Sequence, residues 1–78
     1  LHHNKMHEAL NIVDRMLTIT PDVAGEIRDR GLIYQQLECH RAALEDLRRY
    51  LNMDPAAEDA EEIRMRLIEL QRVAARLN

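Results

Sequence analysis

The reading turns on residues 27–34, Ile27-Arg28-Asp29-Arg30-Gly31-Leu32-Ile33-Tyr34, and on residues 43–55, Ala43 through Leu47 and Tyr50-Leu51 to Pro55. Pro21 and Pro55 stand thirty-four residues apart, and sliding the chain by that interval aligns more than proline. Ala9 falls on Ala43, Leu10 on Leu44, Val13 on Leu47, Met16 on Tyr50 and Leu17 on Leu51. A fixed period of this length, with alanine and a large apolar residue four apart before a proline, is the pattern of stacked helix–turn–helix repeats.

Apolar spacing places the helices around those prolines. Met6, Ala9, Leu10, Val13 and Leu17 share one face of a helix expected over residues 5–18. Thr20-Pro21-Asp22 ends it, because proline cannot continue a helix and pushes its predecessor out of the α region. Ile27, Gly31, Tyr34 and Leu37 line a second helix over residues 23–37. Glu38-Cys39-His40 is a connector of the length that joins antiparallel neighbours. A third helix over 41–52 turns Ala43, Leu44, Leu47 and Leu51 inward and stops at Asp54-Pro55. A fourth, over 57–77, carries Ala60, Ile63, Leu67, Leu70, Ala74 and Leu77. Glu58, Glu61 and Glu62 crowd its start, where negative charge meets the positive end of the helix dipole. The fold class is therefore all-α, about four antiparallel helices, the last one a capping helix.

Residues 27–55 resemble a tetratricopeptide repeat. Its pattern W-x2-L-G-x2-Y, then A-x3-F, then P, is matched by Ile27-x2-Arg30-Gly31-x2-Tyr34, Ala43-x3-Leu47 and Pro55. Gly31 and Ala43 allow close helix approach, Tyr34 fills the wedge between helices, and Pro55 sets the turn into the next unit. Arg30 replaces an apolar residue. The phrase Arg28 to Tyr34, with Asp46-Leu47 and Tyr50-Leu51, is similar to the C-terminal segment of bacterial transglutaminase-like proteins of the SirB type. That resemblance implies a papain-like domain upstream, which would hold the catalytic Cys, His and Asp; none of that set is supplied here.

Composition bounds the alternatives. Seventy-eight residues make one domain at most, near the size at which one core barely sustains itself. Ala, Glu, Leu and Arg dominate, favouring helix. The net charge of −3 gives no basis for nucleic-acid binding, which calls for a basic excess. No apolar run approaches the ~20 residues of a membrane span, and no signal-peptide pattern appears. A single cysteine, Cys39, allows no internal disulfide and fits a reducing compartment, so a cytoplasmic location is expected.

No catalytic, cofactor or metal site is expected. His3 and His7 are four apart, but nothing completes a ligand set. Cys39 and His40 are adjacent, and neighbouring residues in a turn point apart. The arginines of the fourth helix alternate with Glu61, Glu62 and Glu69, as on a solvated face. Within Arg28-Asp29-Arg30, Arg30 is expected to pair with Asp46 or Asp29, since a buried charge needs its partner. Arg28, Leu32, Gln35 and Gln36 share the opposite face of the second helix and are the candidates for touching a partner on the groove side.

Read in register, the chain is half a repeat (5–22), one full repeat (23–56) and a capping helix (57–77). The first helix then offers Met6, Leu10, Val13 and Leu17, with Ile12 and Met16 beside them, more apolar surface than one neighbour can cover. Such a patch marks a contact. The expected function is a protein–protein interaction module that takes a protein or peptide. The alternative is a structural or regulatory appendage packed on an upstream papain-fold domain. In isolation the same face is expected to pair two copies of the chain.

Overall fold

The computed structural model describes residues 2–77, with side chains from Lys5 to Leu77. Four helices follow one another: α1 (His2–Ile19), α2 (Ala24–Gln36), α3 (His40–Met53) and α4 (Ala60–Leu77). Each packs on the next in sequence, α1 on α2, α2 on α3 and α3 on α4. The result is a slab of 34 × 33 × 19 Å, as expected of helical hairpins stacked side by side.

The turns follow local chemistry. At the end of α1 the Thr20 amide still donates to Met16 at 2.9 Å, after which Pro21 prevents a further helical bond. Val23, in extended conformation, is the N-cap of α2 and makes no side-chain cap. Its carbonyl accepts from Glu26 and Ile27. Asp22 has the chemistry of a cap, but its carboxylate accepts a 2.8 Å bond from Arg49 instead. At the end of α2, Cys39 N–H donates to Tyr34 and Glu38 N–H to Gln35. These paired bonds form a Schellman turn, with Glu38 in the left-handed position at φ 60°.

The expected start of the fourth helix at residue 57 is corrected to Ala60. Two turns intervene, in which Ala57 donates to Asp54 and Ala60 to Ala57. The i→i−4 ladder begins after them, with the Ile63 amide donating to Asp59. Glu58 therefore lies outside α4, and the acidic first turn consists of Glu61 and Glu62.

Ile27, Leu47 and Ile63, one from each of the last three helices, are fully buried. Leu17, Ala43, Leu44, Tyr50 and Leu70 complete the core cluster. Each fully buried aliphatic side chain contributes roughly 2 kcal/mol. Among the described residues α1 supplies only Leu17 to this cluster. Leu77, expected inside, is 70% exposed. The outer side of α4 is also less charged than a cap requires, for Met65 and Ile68 are exposed there.

Gly31 is the point of closest approach between α2 and α3. A Cβ there would lie 2.8 Å from Leu47 Cδ2, 2.9 Å from Leu47 Cγ and 3.1 Å from Asp46 Cβ. Leu47 is buried on all sides and has no room to yield. Gly31→Ala gains helix propensity of about 1 kcal/mol and loses more to overpacking. The expected outcome is a net destabilisation of about 1–2 kcal/mol, read as a lower urea midpoint; an unchanged or higher midpoint would contradict this packing.

Candidate functional site

Two polar networks and one apolar face concern any partner. The first network centres on Arg30, at the position where the repeat pattern has leucine. Its Nε and Nη2 donate to Asp46 Oδ2 and Oδ1 on α3 at 2.8 and 2.9 Å. Its Nη1 donates to Asp14 Oδ1 on α1 at 3.0 Å. The guanidinium also lies 5.9 Å from the centroid of the Tyr34 ring. Asp46 foremost, then Asp14, holds Arg30 further above its ordinary pKa, against the opposing effect of burial. Of the two expected partners the structure selects Asp46, met two-to-two by the planar fork, while the Asp29 carboxylate accepts from Arg28. Asp14 was not foreseen.

The second network crosses from α2 to α4. Arg28 donates to its neighbour Asp29 at 3.0 Å and to Asp59, just before α4, at 3.2 Å. Its guanidinium lies over the Tyr50 ring, and the Tyr50 hydroxyl donates to Asp59. The Tyr50 hydrogen bond above all, and then Arg28, lowers the Asp59 pKa; the same bond raises that of Tyr50. Two helical turns further along, Arg66 donates to Gln35 at 3.0 Å.

The candidates on the groove side are therefore mostly engaged within the chain. Arg28 and Gln35 are tied to α4, and Leu32 is packed against the core. Gln36 is exposed. On α1, Met6 and Leu10 are half-buried and Val13 packs against the core. Of the patch expected on α1, Ile12 and Met16 are exposed, at 57% and 42%, and Ile19 joins them at 83%. Ile19 was overlooked because it follows the last inward-facing residue, Leu17. The spacing of four and three between Ile12, Met16 and Ile19 would have shown that they share a face. Beside them opens a cleft of about 260 Å³ lined by Met16, Ile19, Thr20, Val23 and Glu26.

His3, one half of the weighed histidine pair, lies outside the described side chains; His7 is exposed. Among the described residues no three of His, Cys, Asp and Glu gather as a metal set. The Cys39 thiol is exposed and contacts the Leu37 carbonyl at 3.8 Å. No helix of the described residues is long and apolar enough to cross a membrane.

The family model of the tetratricopeptide repeat matches residues 1–68. The chain belongs to the tetratricopeptide-repeat family. Within it, the chain is 51% identical over 53 residues to a UPF0162 protein of Vibrio cholerae, covering 64% of this chain and 20% of that protein. It is 38% identical over 71 residues to a UPF0162 protein of Buchnera aphidicola from Acyrthosiphon pisum, covering 91% and 26%. It is 39% identical over 67 residues to protein SirB1 of Salmonella typhimurium, covering 86% and 25%. The chain thus spans about a quarter or less of the length of these curated relatives. No solved structure matches it. Tetratricopeptide repeats are in general non-catalytic modules that bind proteins or peptides.

Two outcomes test the networks. Restoring the repeat's leucine with Arg30→Leu strands Asp46, which is 5% exposed. The expected loss is about 2–3 kcal/mol, below that of a fully buried pair because Arg30 remains partly solvated. Arg30→Leu with Asp46→Leu is expected to recover most of it, and thermal denaturation of the two variants reads the difference. For Asp59 the folded pKa lies below the unfolded one, so its contribution is present above about pH 4 and is lost as pH falls through the folded value. Tyr50→Phe removes the largest cause of that shift. The stability gap between wild type and Tyr50→Phe should therefore narrow from pH 5 towards pH 2; a gap that is constant with pH would contradict the assignment.

Proposed function

We propose that this chain is a protein–protein interaction module, the tetratricopeptide segment of a larger bacterial protein, and that its contact surface is the outer face of α1. The carrying observation is the row Ile12, Met16 and Ile19, exposed along one helix while the groove side is bridged to α4 by Arg28–Asp59 and Arg66–Gln35. Three large apolar side chains exposed on one face form a patch of the kind that a partner covers. A repeat also cannot bury both faces of a helix without a neighbour on each side.

A second reading makes the partner a domain of the same protein. The SirB1 and UPF0162 relatives carry some three-quarters of their length beyond the matched segment. The resemblance noted in residues 28–34 supports a papain-fold, transglutaminase-like domain as the body on which α1 packs. In that case the repeat is a structural or regulatory appendage. Neither reading calls for a cofactor, a nucleic acid or a membrane, and both suit the cytoplasm.

Photo-crosslinking separates the surfaces and the readings together. A photoreactive residue replaces Ile19 on α1 in one protein and Gln36 on the groove side in another. Crosslinks are expected from position 19, and they should disappear with Ile12→Asp while helicity is retained. The crosslinked peptide then names the partner as another protein, an upstream domain or a second copy. Crosslinks from position 36 and none from position 19 would move the function to the groove and end this reading.

A further inference from the structure

The open corner between α1 and α2 has a filled counterpart one repeat along the chain. Thirty-four residues on from Met16, Val23 and Glu26 stand Tyr50, Ala57 and Ala60, at the corner between α3 and α4. There α2 provides the filling. The Arg28 guanidinium lies 5.6 Å from the centre of the Tyr50 ring and reaches the Asp59 carboxylate at 3.2 Å. Tyr50 is 4% exposed beneath it, whereas Met16 at the same repeat position is 42% exposed. A flanking helix that carries an arginine covers the second corner, and the first corner lacks that cover.

The open corner has the matching chemistry. Its cleft is walled by Met16, Ile19 and Val23, a sleeve suited to the methylene stem of a long basic side chain. Glu26 lines it too, in the first turn of α2, one residue beyond Gly25, the repeat equivalent of Asp59. Glu26 Oε2 is buried and has no hydrogen-bond partner among the described residues. A buried carboxylate oxygen without a donor is an unfavourable arrangement that a cation would relieve.

We propose that this corner receives an arginine from an amphipathic helix that docks on α1 as α2 docks on α3. The stem lies along Met16, Ile19 and Val23, and the guanidinium binds the Glu26 carboxylate, whose buried Oε2 turns into the cleft to meet it. Arginine fits better than lysine, because its flat fork can meet a carboxylate while its face rests on apolar side chains. The proposal rests on the reading of α1 as the docking face and adds the chemistry of what docks there: an apolar helix face with an arginine at its edge, in the manner of Ile27-Arg28-x2-Gly31-x2-Tyr34.

The probe is a stapled helical peptide with the sequence of residues 22–37, titrated into the isotopically labelled 78-residue chain and followed by NMR. A second peptide carries Arg28→Gln, and a second chain carries Glu26→Gln. The native peptide should shift the amides of Met16, Ile19 and Glu26. Arg28→Gln in the peptide should weaken binding at least fivefold on the unaltered chain and change nothing further on the Glu26→Gln chain, the signature of a direct pair. Equal binding of the two peptides on α1 would overturn the arginine slot and leave α1 as the docking face. No shifts on α1 at millimolar peptide would overturn both. If Glu26→Gln loosens the fold, the comparison of the two peptides on the unaltered chain decides alone.

Discussion

The contact on which the rest depends is the fork of Arg30 on Asp46. It joins α2 to α3 beside the close approach at Gly31, and through Asp14 it reaches α1 as well. Three consecutive helices thus meet at one guanidinium. An apolar residue at this position would pack without directing its neighbours. The charge instead demands partners in fixed places, because leaving it unpaired would cost more than the fold gains from burial there. This matters most for α1, whose part in the core cluster among the described residues is Leu17, with Val13 packed against it.

Arg28 and Arg30 sit two positions apart on α2 and serve opposite sides of the helix. Arg30 closes the stack toward α1 and α3; Arg28 closes it toward α4, over Tyr50 and onto Asp59. Polar bonds of this kind fix the angle between layers more sharply than apolar contact, which is non-directional. They also occupy donors and acceptors that an open groove would offer to a peptide. Exposed apolar side chains lie on the outer helices of the stack, Ile12, Met16 and Ile19 on α1 and Met65, Ile68 and Leu77 on α4.

Much of this was legible in the residues. Periodicity located the helices to within three residues, since apolar spacing and the two prolines report directly on helix faces and ends. Gly31 and Ala43 declared close approach by their size. The charge at Arg30 announced a partner, and Asp46 was among the two named. The surface residues were less legible. The expected patch joined Met6, Leu10, Val13 and Leu17 to Ile12 and Met16, yet α1 packs Val13 and Leu17 against the core and leaves Ile12 and Met16 exposed beside Ile19. Both stripes are apolar and both are helically spaced, so spacing alone has no means of choosing between them.

The sequence by itself determined the repeat, its thirty-four-residue period, the number of helices and the need to satisfy a buried arginine. These follow from local rules: side-chain spacing, the missing amide of proline and the cost of an unpaired charge. Only the tertiary structure decided which stripe of α1 faces the core, that Arg28 is spent on Asp59, and that Glu26 keeps a buried oxygen without a donor among the described residues. Those outcomes depend on which helix lies across which. Two corners of the same repeat can therefore share their spacing and differ in whether an arginine fills them.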